Sequence, residues 1–572
     1  MSVRRNAFSM GFEPVSRVLA GRAADNGPAF TFIDYLDHPD GVGHTLTWSE
    51  LDSRARAVAA RLAEVSVPGE RVALLCPQNL DYVTGFFGAL YAGMIAVPLF
   101  APEVSSHATR LVGALADCDP QVWLTSRTVL PAIDDLLEQQ PVPRPKQILA
   151  VDTLPDADFE PVPAFADQAA YLQYTSGSTR KPAGAVISHG ALAANVSQAR
   201  AAFDVDKNST CVGWLPLFHD MGLVNLVALP VGVGCRSVFT TPFAFVRKPV
   251  RWLTMLSAYP DVITAAPNFA FDHAAAGMYE KDRAELDLSN VKAIINGSEP
   301  VRAETVRDFL VVAGPLGFRA SAHRPSYGLA EATVFVSTTP PGTAPKVVAF
   351  DRTRLGPGER AVLVDEHADR ATRLVSVGRS VGQDVRIVVD GRETQDGVVG
   401  EIWVHGPNVA DGYWRQPERS AETFDGRLTG GKPDAGWLRT GDLGVIHAGE
   451  LYVTGRLKDL VIVDGTNHYP QDIETTVQQA HPAIRRDRVA VFGIERDGRE
   501  GPVVVAEHSS HVTLEDDLAG EIGRRVRAAV SQRHDLRLLD FVLVPPGAVS
   551  RTSSGKIARS ATRRRYLDGD LR

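Results

Sequence analysis

Short apolar runs alternate with amphipathic segments over residues 49–174, a pattern typical of strands separated by helices. Ser49 is expected to cap a helix that runs to Ala63 and carries one apolar face. Val72–Leu75 and Met94–Leu99 are apolar runs short enough to be buried strands. This rhythm predicts an α/β fold in which the large N-terminal domain consists of doubly wound layers.

The alternation continues past residue 184 and then changes character. Val291–Ile295 is an apolar strand that ends in the polar turn Asn296–Pro300 and leads into a helix. That order is how open α/β sheets present ligand-binding loops. Further on, Pro, Gly and charged residues alternate with the valine-rich runs Lys346–Phe350 and Ala361–Val364. We expect a small β subdomain or an insertion there.

The polar link Gly455–Asp459 divides the chain. We assign residues 1–455 to the N-terminal domain, 456–460 to a hinge, and 461–572 to a smaller, mobile α+β domain of ordinary size. The long helical pattern Leu518–His534 belongs to this second domain.

Composition and charge exclude several classes of protein. The 572 residues are 44% hydrophobic and carry a net charge of −8, which argues against a general nucleic-acid binder. The four cysteines are far apart and show no zinc-ligand spacing, so buried reduced thiols in a cytoplasmic protein are expected. Tyr82–Pro102 is uncharged, but its glycines favour a helix followed by a buried strand over a membrane span.

A loop rich in hydroxyls connects two strand candidates, Ala169–Leu172 and Ala185–Ser188. Glycine admits close backbone N–H groups, hydroxyls donate hydrogen bonds, and cations supply charge, so the loop could hold phosphate oxygens. It lacks the P-loop pattern, and by itself it fits a polar surface hairpin equally well. The candidate phosphate contacts are Thr175, Ser176, Gly177, Ser178, Thr179 and Arg180.

Polar stretches at predicted loop positions recur in order along the chain. Together they resemble those of the adenylate-forming, AMP-binding superfamily. The resemblance covers nearly the whole chain and implies ATP as a substrate together with Mg²⁺. The stretches are Tyr174–Gly184, Asn296–Pro300, Tyr327–Thr333, Trp437–Asp442 and Ser550–Lys556.

The resemblance also implies roles for individual residues. Glu331 matches a magnesium-coordinating glutamate, Tyr327 an aromatic that stacks on adenine, and Asp442 a carboxylate that binds both ribose hydroxyls. Lys556 matches the catalytic lysine that bridges the carboxylate and the α-phosphate. His219 could gate the acyl tunnel, although a hydrogen-bonded loop histidine is an equal alternative. Further implied nucleotide contacts are Asn296, Gly297, Ser298, Gly328, Leu329, Ala330, Arg456 and the hinge residue Lys458.

Departures from the CoA-forming pattern indicate a branch of the superfamily. Arg180 stands where a glycine is usual and Ala183 where a lysine is usual, and both changes resemble the fatty-acyl-AMP ligases. Residues 342–372 match the insertion of that branch. This match implies transfer of the acyl group to an acyl carrier protein, or to a carrier domain of a polyketide or peptide synthase, instead of CoA. An acyl-CoA synthetase, an amino-acid-activating domain and a non-catalytic scaffold remain alternatives. Apolar walls for the acyl chain are expected at Met221–Leu229 and Ala265–Ala274.

Overall fold

Two mainly parallel sheets form the centre of the N-terminal domain in the computed structural model, which describes residues 12–36, 38–102, 108–174, 182–278, 284–430, 436–463, 466–496, 499–512, 516–551 and 556–571. In spatial order, the first sheet contains Arg379–Ser380, Phe335–Thr338, His323–Gly328, Val291–Gly297, Val262–Pro267, Thr210–Gly213, Arg236–Phe239, Pro28–Asp34 and Val42–Thr47. The second contains Gln147–Ala150, Val122–Thr125, Arg71–Leu74, Ile95–Pro98, Ala169–Tyr174 and Gly184–Ser188. Antiparallel pairs occur at the sheet ends, and the predicted α/β layers are confirmed.

Helices connect and cover these strands. Most of their apolar faces share one extensive core with the sheets, and Ala108–Cys118 and Leu130–Gln139 pack in a second cluster. Such crossover helices are what parallel strands require. Their bounds are Val15–Ala20, Trp48–Val65, Leu80–Tyr91, Ala108–Cys118, Leu130–Gln139, His189–Phe203, Asp220–Leu223, Leu229–Val233, Pro242–Arg247, Val250–Ser257, Asn268–Ala276 and Ala303–Ala313.

An antiparallel sheet follows the α/β layers, with Pro417–Phe424 as its helix. Beside it, residues 342–372 contribute to the hairpin Val347–Asp351 and Ala371–Val375. The strand predicted at Ala361–Val364 is wrong, because the segment makes only one isolated bridge, from Leu363 to Phe350. The antiparallel sheet contains Arg392–Glu393, Asp384–Val389, Gly400–His405, Leu438–His447 and Glu450–Arg456.

The C-terminal part has apolar cores of its own. A 3-10 turn at Leu457–Asp459 occupies the predicted link. The strands beyond it are Val461–Val463 with Thr466–His468, and Ile484–Arg496 with Arg499–His508 and Asp540–Val544. The helices are Pro470–Ala480, Asp516–His534 and Arg559–Asp568.

The predicted helix cap is wrong, and the predicted state of the cysteines is confirmed. The helix predicted with Ser49 as its cap begins two residues earlier, at Trp48, because Thr47 is the cap. The Glu50 N–H donates to Thr47 Oγ1 at 3.1 Å, and Glu50 Oε2 accepts from the Thr47 N–H. Such a reciprocal pair satisfies two otherwise free donors, which a serine two positions later could not do. The predicted buried, free cysteines are confirmed.

No helix among the described residues is both long enough and apolar enough to cross a bilayer. The segment that raised this question is split between the helix Leu80–Tyr91 and the strand Ile95–Pro98. Both are buried in the core, which accounts for their apolar composition.

Two helices of the first layer meet at a glycine. A Cβ added at Gly88 would lie 2.4 Å from Cγ1 of Val58 on the facing helix. Gly85, one turn earlier, has room, because its added Cβ would meet nothing closer than Leu124 at 3.4 Å. The two glycines therefore differ in packing while sharing one helix.

We expect Gly88→Ala to lower the free energy of unfolding by roughly 1–2 kcal/mol, since overpacking outweighs the gain in helix propensity. Gly85→Ala is the matched control and should be neutral or up to about 1 kcal/mol stabilising. Urea unfolding of both variants measures the difference, and equal stabilities would contradict the packing argument.

Candidate active site

A cavity of about 1270 Å³ lies between the large domain and the C-terminal domain. Parallel strands of the first sheet end at its wall, among them Val291–Gly297 and His323–Gly328. The carboxyl ends of parallel strands are where open α/β folds bind ligands. The cavity is therefore the candidate active site.

The turn after Val291–Gly297 forms one wall. Ser298 has a φ of 71°, and a Cβ on Gly297 would lie 2.8 Å from the Ser326 carbonyl oxygen. Gly297 and Ser298 line the cavity, and their predicted contacts with the base remain predictions. Asn296 differs: it is fully buried, with Nδ2 3.0 Å from Nε2 of His323. Successive side chains of a strand point to opposite faces, and the Asn296 side chain points into the core beneath the turn.

Tyr327, Asp442 and Arg456 form a second wall. The Tyr327 hydroxyl donates to Asp442 Oδ2 at 2.8 Å, and Arg456 Nε donates to Asp442 Oδ1 at 2.8 Å. Asp442 was expected in a loop, but it lies within a strand directly opposite Arg456. The carboxylate raises the pKa of Arg456, and burial followed by the same carboxylate raises the pKa of Tyr327. Each carboxylate oxygen keeps a lone pair for a further donor.

Glu331 lies on a short turn after Tyr327, near Gly328, Leu329 and Ala330, and all of them line the cavity. Its Oε1 accepts a 2.7 Å hydrogen bond from the Tyr413 hydroxyl. Sequence reasoning missed Tyr413, because only the folded chain brings it to Glu331.

Residues 411–414, which carry Tyr413, run beside the strand Gly184–Ser188. The Val186 N–H donates to Gly412 O at 2.9 Å, and the Trp414 N–H donates to Gly184 O at 2.8 Å. The contact with Glu331 is thus connected to the strand that follows the predicted phosphate loop.

That loop itself lies outside the described residues, so the predicted contacts at Thr175, Ser176, Gly177, Ser178, Thr179 and Arg180 remain predictions. Its two flanks are antiparallel strands, with Tyr174 opposite Gly184. The Tyr174 hydroxyl donates to Asp117 Oδ2 at 2.6 Å, and Tyr174 lines the cavity. One flank of the loop, Tyr174, therefore lies at the edge of the site.

Lys556 comes from the C-terminal domain and lines the same cavity. Burial lowers its pKa, as does Arg456, while Asp220, Glu299 and Asp442 act in the opposite direction. Neither Asp220 nor Glu299 was predicted. The Glu299 carboxylate accepts from the Phe269 N–H at 2.6 Å, and burial raises its pKa.

His219 lies on the cavity wall next to Asp220, with Nδ1 2.6 Å from Asp220 Oδ1. Burial opposes ionisation of Asp220, but His219, Lys556 and the Met221 N–H hold its pKa below the usual range. The His219 imidazole therefore lies beside a buried carboxylate, which the gate prediction did not include.

Lys458 also lines the cavity, from the turn between the domains. Burial, and then Arg456, lower its pKa. The neighbouring Asp459 accepts from Arg559 at 3.1 Å, and Arg559 also binds Glu474 at 2.7 Å. The turn is thus tied to two helices of the C-terminal domain.

Apolar side chains line another part of the cavity. Met221 and Val224 belong to the first predicted wall and Phe269 to the second. Ala199 and Phe203, from the helix His189–Phe203, were not predicted. A π-helical turn begins at Val224, a local irregularity often found at functional sites.

Comparisons with known proteins agree with this geometry. The AMP-binding enzyme family matches residues 21–414, and the AMP domain of Disco-interacting protein 2-like proteins matches residues 458–572. The chain therefore belongs to the AMP-binding, adenylate-forming enzymes and, within them, to the fatty-acyl-AMP ligases, which confirms the predicted resemblance.

The relatives include proteins named as fatty-acid–AMP ligases and one named as a fatty-acid–CoA ligase. Long-chain-fatty-acid–AMP ligase FadD32 of Mycolicibacterium smegmatis is 45% identical over 95% of this chain and 92% of its own. A putative fatty-acid–CoA ligase, fadD25 of Mycobacterium tuberculosis, is 41% identical over 95% and 96%. A structure from studies of fatty acyl-adenylate ligases of E. coli and L. pneumophila superimposes with a TM-score of 0.88 at 30% identity, covering 98% of this chain and 99% of that one.

Proposed function

We propose that this enzyme uses ATP to convert a medium- or long-chain fatty acid into its acyl-adenylate, and then passes the acyl group to the phosphopantetheine thiol of an acyl carrier protein. In this second step the thiol sulfur bonds to the acyl carbon, the bond from that carbon to the AMP oxygen breaks, and AMP leaves. One observation carries the proposal. A single cavity contains the Tyr327–Asp442–Arg456 cluster, Glu331, an apolar wall and Lys556 from the C-terminal domain.

The first step requires two anions to meet. A fatty-acid carboxylate oxygen attacks the α-phosphorus of ATP, the bond to the β-phosphate oxygen breaks, and pyrophosphate leaves. Lys556 would neutralise charge on the carboxylate and the α-phosphate. Losing one preorganised donor of this kind costs on the order of 10²–10³ in rate. Asp442 would accept hydrogen bonds from the ribose hydroxyls, and Gly297 and Ser298 would flank the base.

The carboxylate of Glu331 fits magnesium in chemical type. It is an oxygen ligand that a tyrosine hydroxyl orients towards the cavity. Among the described residues, no group of three or more His, Cys, Asp or Glu side chains could hold a metal ion. Mg²⁺ is often held by one or two carboxylates together with substrate phosphates, and it would neutralise phosphate charge.

The apolar wall would bind the acyl chain. Each buried methylene contributes roughly 0.8 kcal/mol, so a twelve-carbon chain would gain roughly 8–9 kcal/mol. That gain supports a long aliphatic substrate over a small polar acid. The buried thiols and the charge of the chain support a cytoplasmic location.

The insertion, residues 342–372, supports the carrier-protein branch of the proposal. Its Thr372 hydroxyl donates to Asp472 Oδ1 of the C-terminal domain at 3.0 Å, and its Leu355 carbonyl accepts from the Tyr469 hydroxyl at 2.6 Å. Phe350 and Leu355 share a buried cluster with Tyr469. We propose that these contacts restrain the C-terminal domain and thereby disfavour CoA thioester formation.

The second candidate is an acyl-CoA synthetase, which shares the first step; one relative carries such a name. Product analysis separates the two. With ATP, Mg²⁺, CoA and fatty acids of 8 to 18 carbons, the intact chain should accumulate acyl-adenylate and little acyl-CoA. Abundant acyl-CoA would overturn the branch assignment and leave adenylation standing.

Lys556→Ala should lower the rate of acyl-adenylate formation by roughly 10²–10³, since it removes a preorganised cation. Lys207→Ala, on an exposed turn, is the control. Because burial lowers the pKa of Lys556, the protonated form is lost at a lower pH than for a solvated lysine. The wild-type rate should therefore decline on the alkaline side below the usual lysine range. A fully active Lys556→Ala enzyme would remove Lys556 from the reaction.

Loosening the insertion should raise CoA turnover. Replacing residues 342–372 with a short glycine linker removes the contacts with Tyr469 and Asp472, and Thr372→Val removes only the second. Arg360→Gln is the matched control, since Arg360 contacts the Asp396 carbonyl of the large domain. The ratio of acyl-CoA to acyl-adenylate is the measurement. An unchanged ratio in the deletion would assign the insertion another role.

A further inference from the structure

Arg302 of the large domain forms a bridge to the C-terminal domain. Its guanidinium binds Asp272 on its own domain and Asp487 on the other. A further contact, from Nη2 to Asp487 Oδ2, is 3.5 Å long. The side chains of Arg302 and Asp487 are 30% and 28% exposed, so the pair is partly shielded from water.

The large domain holds Arg302 from several sides. The Arg302 N–H donates to Asn268 Oδ1 at 3.1 Å, and Nε donates to Thr305 Oγ1 at 3.3 Å. The Thr305 hydroxyl itself donates to Asp272 Oδ2 at 3.2 Å. A guanidinium fixed in this way loses little further freedom when it binds a second carboxylate.

The C-terminal domain presents Asp487 from an irregular point of a strand. The pairing register shifts between Ile484 and Val489, and Asp487 has a φ of 55°. The Asp487 N–H donates to Gln478 Oε1 at 3.2 Å on the neighbouring helix. Backbone strain of this kind persists only where surrounding contacts maintain it.

A second contact crosses the cleft close to the lysine. The Arg551 guanidinium lies 5.8 Å from the ring centre of Phe269. Arg551 pairs with Ile557, the residue after Lys556. The segment that carries Lys556 therefore begins beside the large domain at Arg551. A ring contact, however, sets its position less sharply than a bidentate charge pair.

We propose that Arg302 and Asp487 are a positioning pair that fixes the C-terminal domain in the orientation in which Lys556 lines the cavity. The inference rests on the proposed adenylation, because the orientation matters through Lys556. Both residues act through that lysine and not on the reacting atoms.

A double-mutant cycle tests the coupling. Arg302→Gln and Asp487→Asn should each lower kcat for acyl-adenylate formation from dodecanoic acid roughly 3- to 10-fold, with KM for ATP within about twofold. The double variant should be no slower than the slower single variant. Additive losses, or an effect confined to KM, would overturn the proposal. Arg307→Gln and Asp308→Asn are matched controls, because that pair is exposed on the same helix.

An orientation measurement keeps this test separate from the proposed activity. The native cysteines are buried, so spin labels at Glu64→Cys and Arg525→Cys, both exposed positions, report the distance between the domains. Asp487→Asn should broaden a narrow distance distribution. An unchanged distribution would overturn the positioning role even if activity fell. A broadened distribution in a chain that forms no adenylate at all would support the pair and overturn the proposed function.

Discussion

The rest of this site depends on one positive charge, the ammonium group of Lys556. It belongs to the C-terminal domain and is buried in a cavity built mainly by the large domain. Burying an unpaired charge is costly. Lys556 is stabilised by facing carboxylates at Asp220, Glu299 and Asp442, while Arg456 opposes it. The acidic residues around the cavity therefore stabilise the buried Lys556 ammonium before any substrate binds. They make it possible for a cation to remain where a phosphate would later be held.

The orientation of the C-terminal domain then becomes part of the site. The domain contacts the rest of the chain through at least two of its elements. The insertion reaches Tyr469 and Asp472 at the start of one helix, and Arg302 reaches Asp487 in a strand. Because the C-terminal domain is held both by the insertion and by Arg302, it cannot rotate about either contact alone. Releasing one set of contacts would leave the other as a pivot, so the insertion and the charge pair would affect different motions.

The sequence predicted this site unevenly, for physical reasons. Apolar runs located most strands to within two residues, because burial requires them. Asp442 and Lys556 were found because they stand in motifs with several fixed neighbours. The burial of the Asn296 side chain could not be predicted, since it depends on where the strand ends. The strand predicted at Ala361–Val364 is wrong because the valines there lie in a loop. Tyr413 and Asp487 carry no local signal at all, because their partners are distant in the chain.

The strip at residues 411–414 has a consequence for engineering. Its backbone is hydrogen-bonded to the strand Gly184–Ser188, and its Tyr413 hydroxyl donates a hydrogen bond to Glu331. The strand Gly184–Ser188, which follows the predicted phosphate loop, and the Glu331 carboxylate are therefore supported by the same segment. A loop transplanted from a CoA-forming relative would have to keep the Trp414–Gly184 bond. Otherwise a change meant to alter the acyl acceptor would also shift the segment that holds Glu331, a second part of the cavity wall.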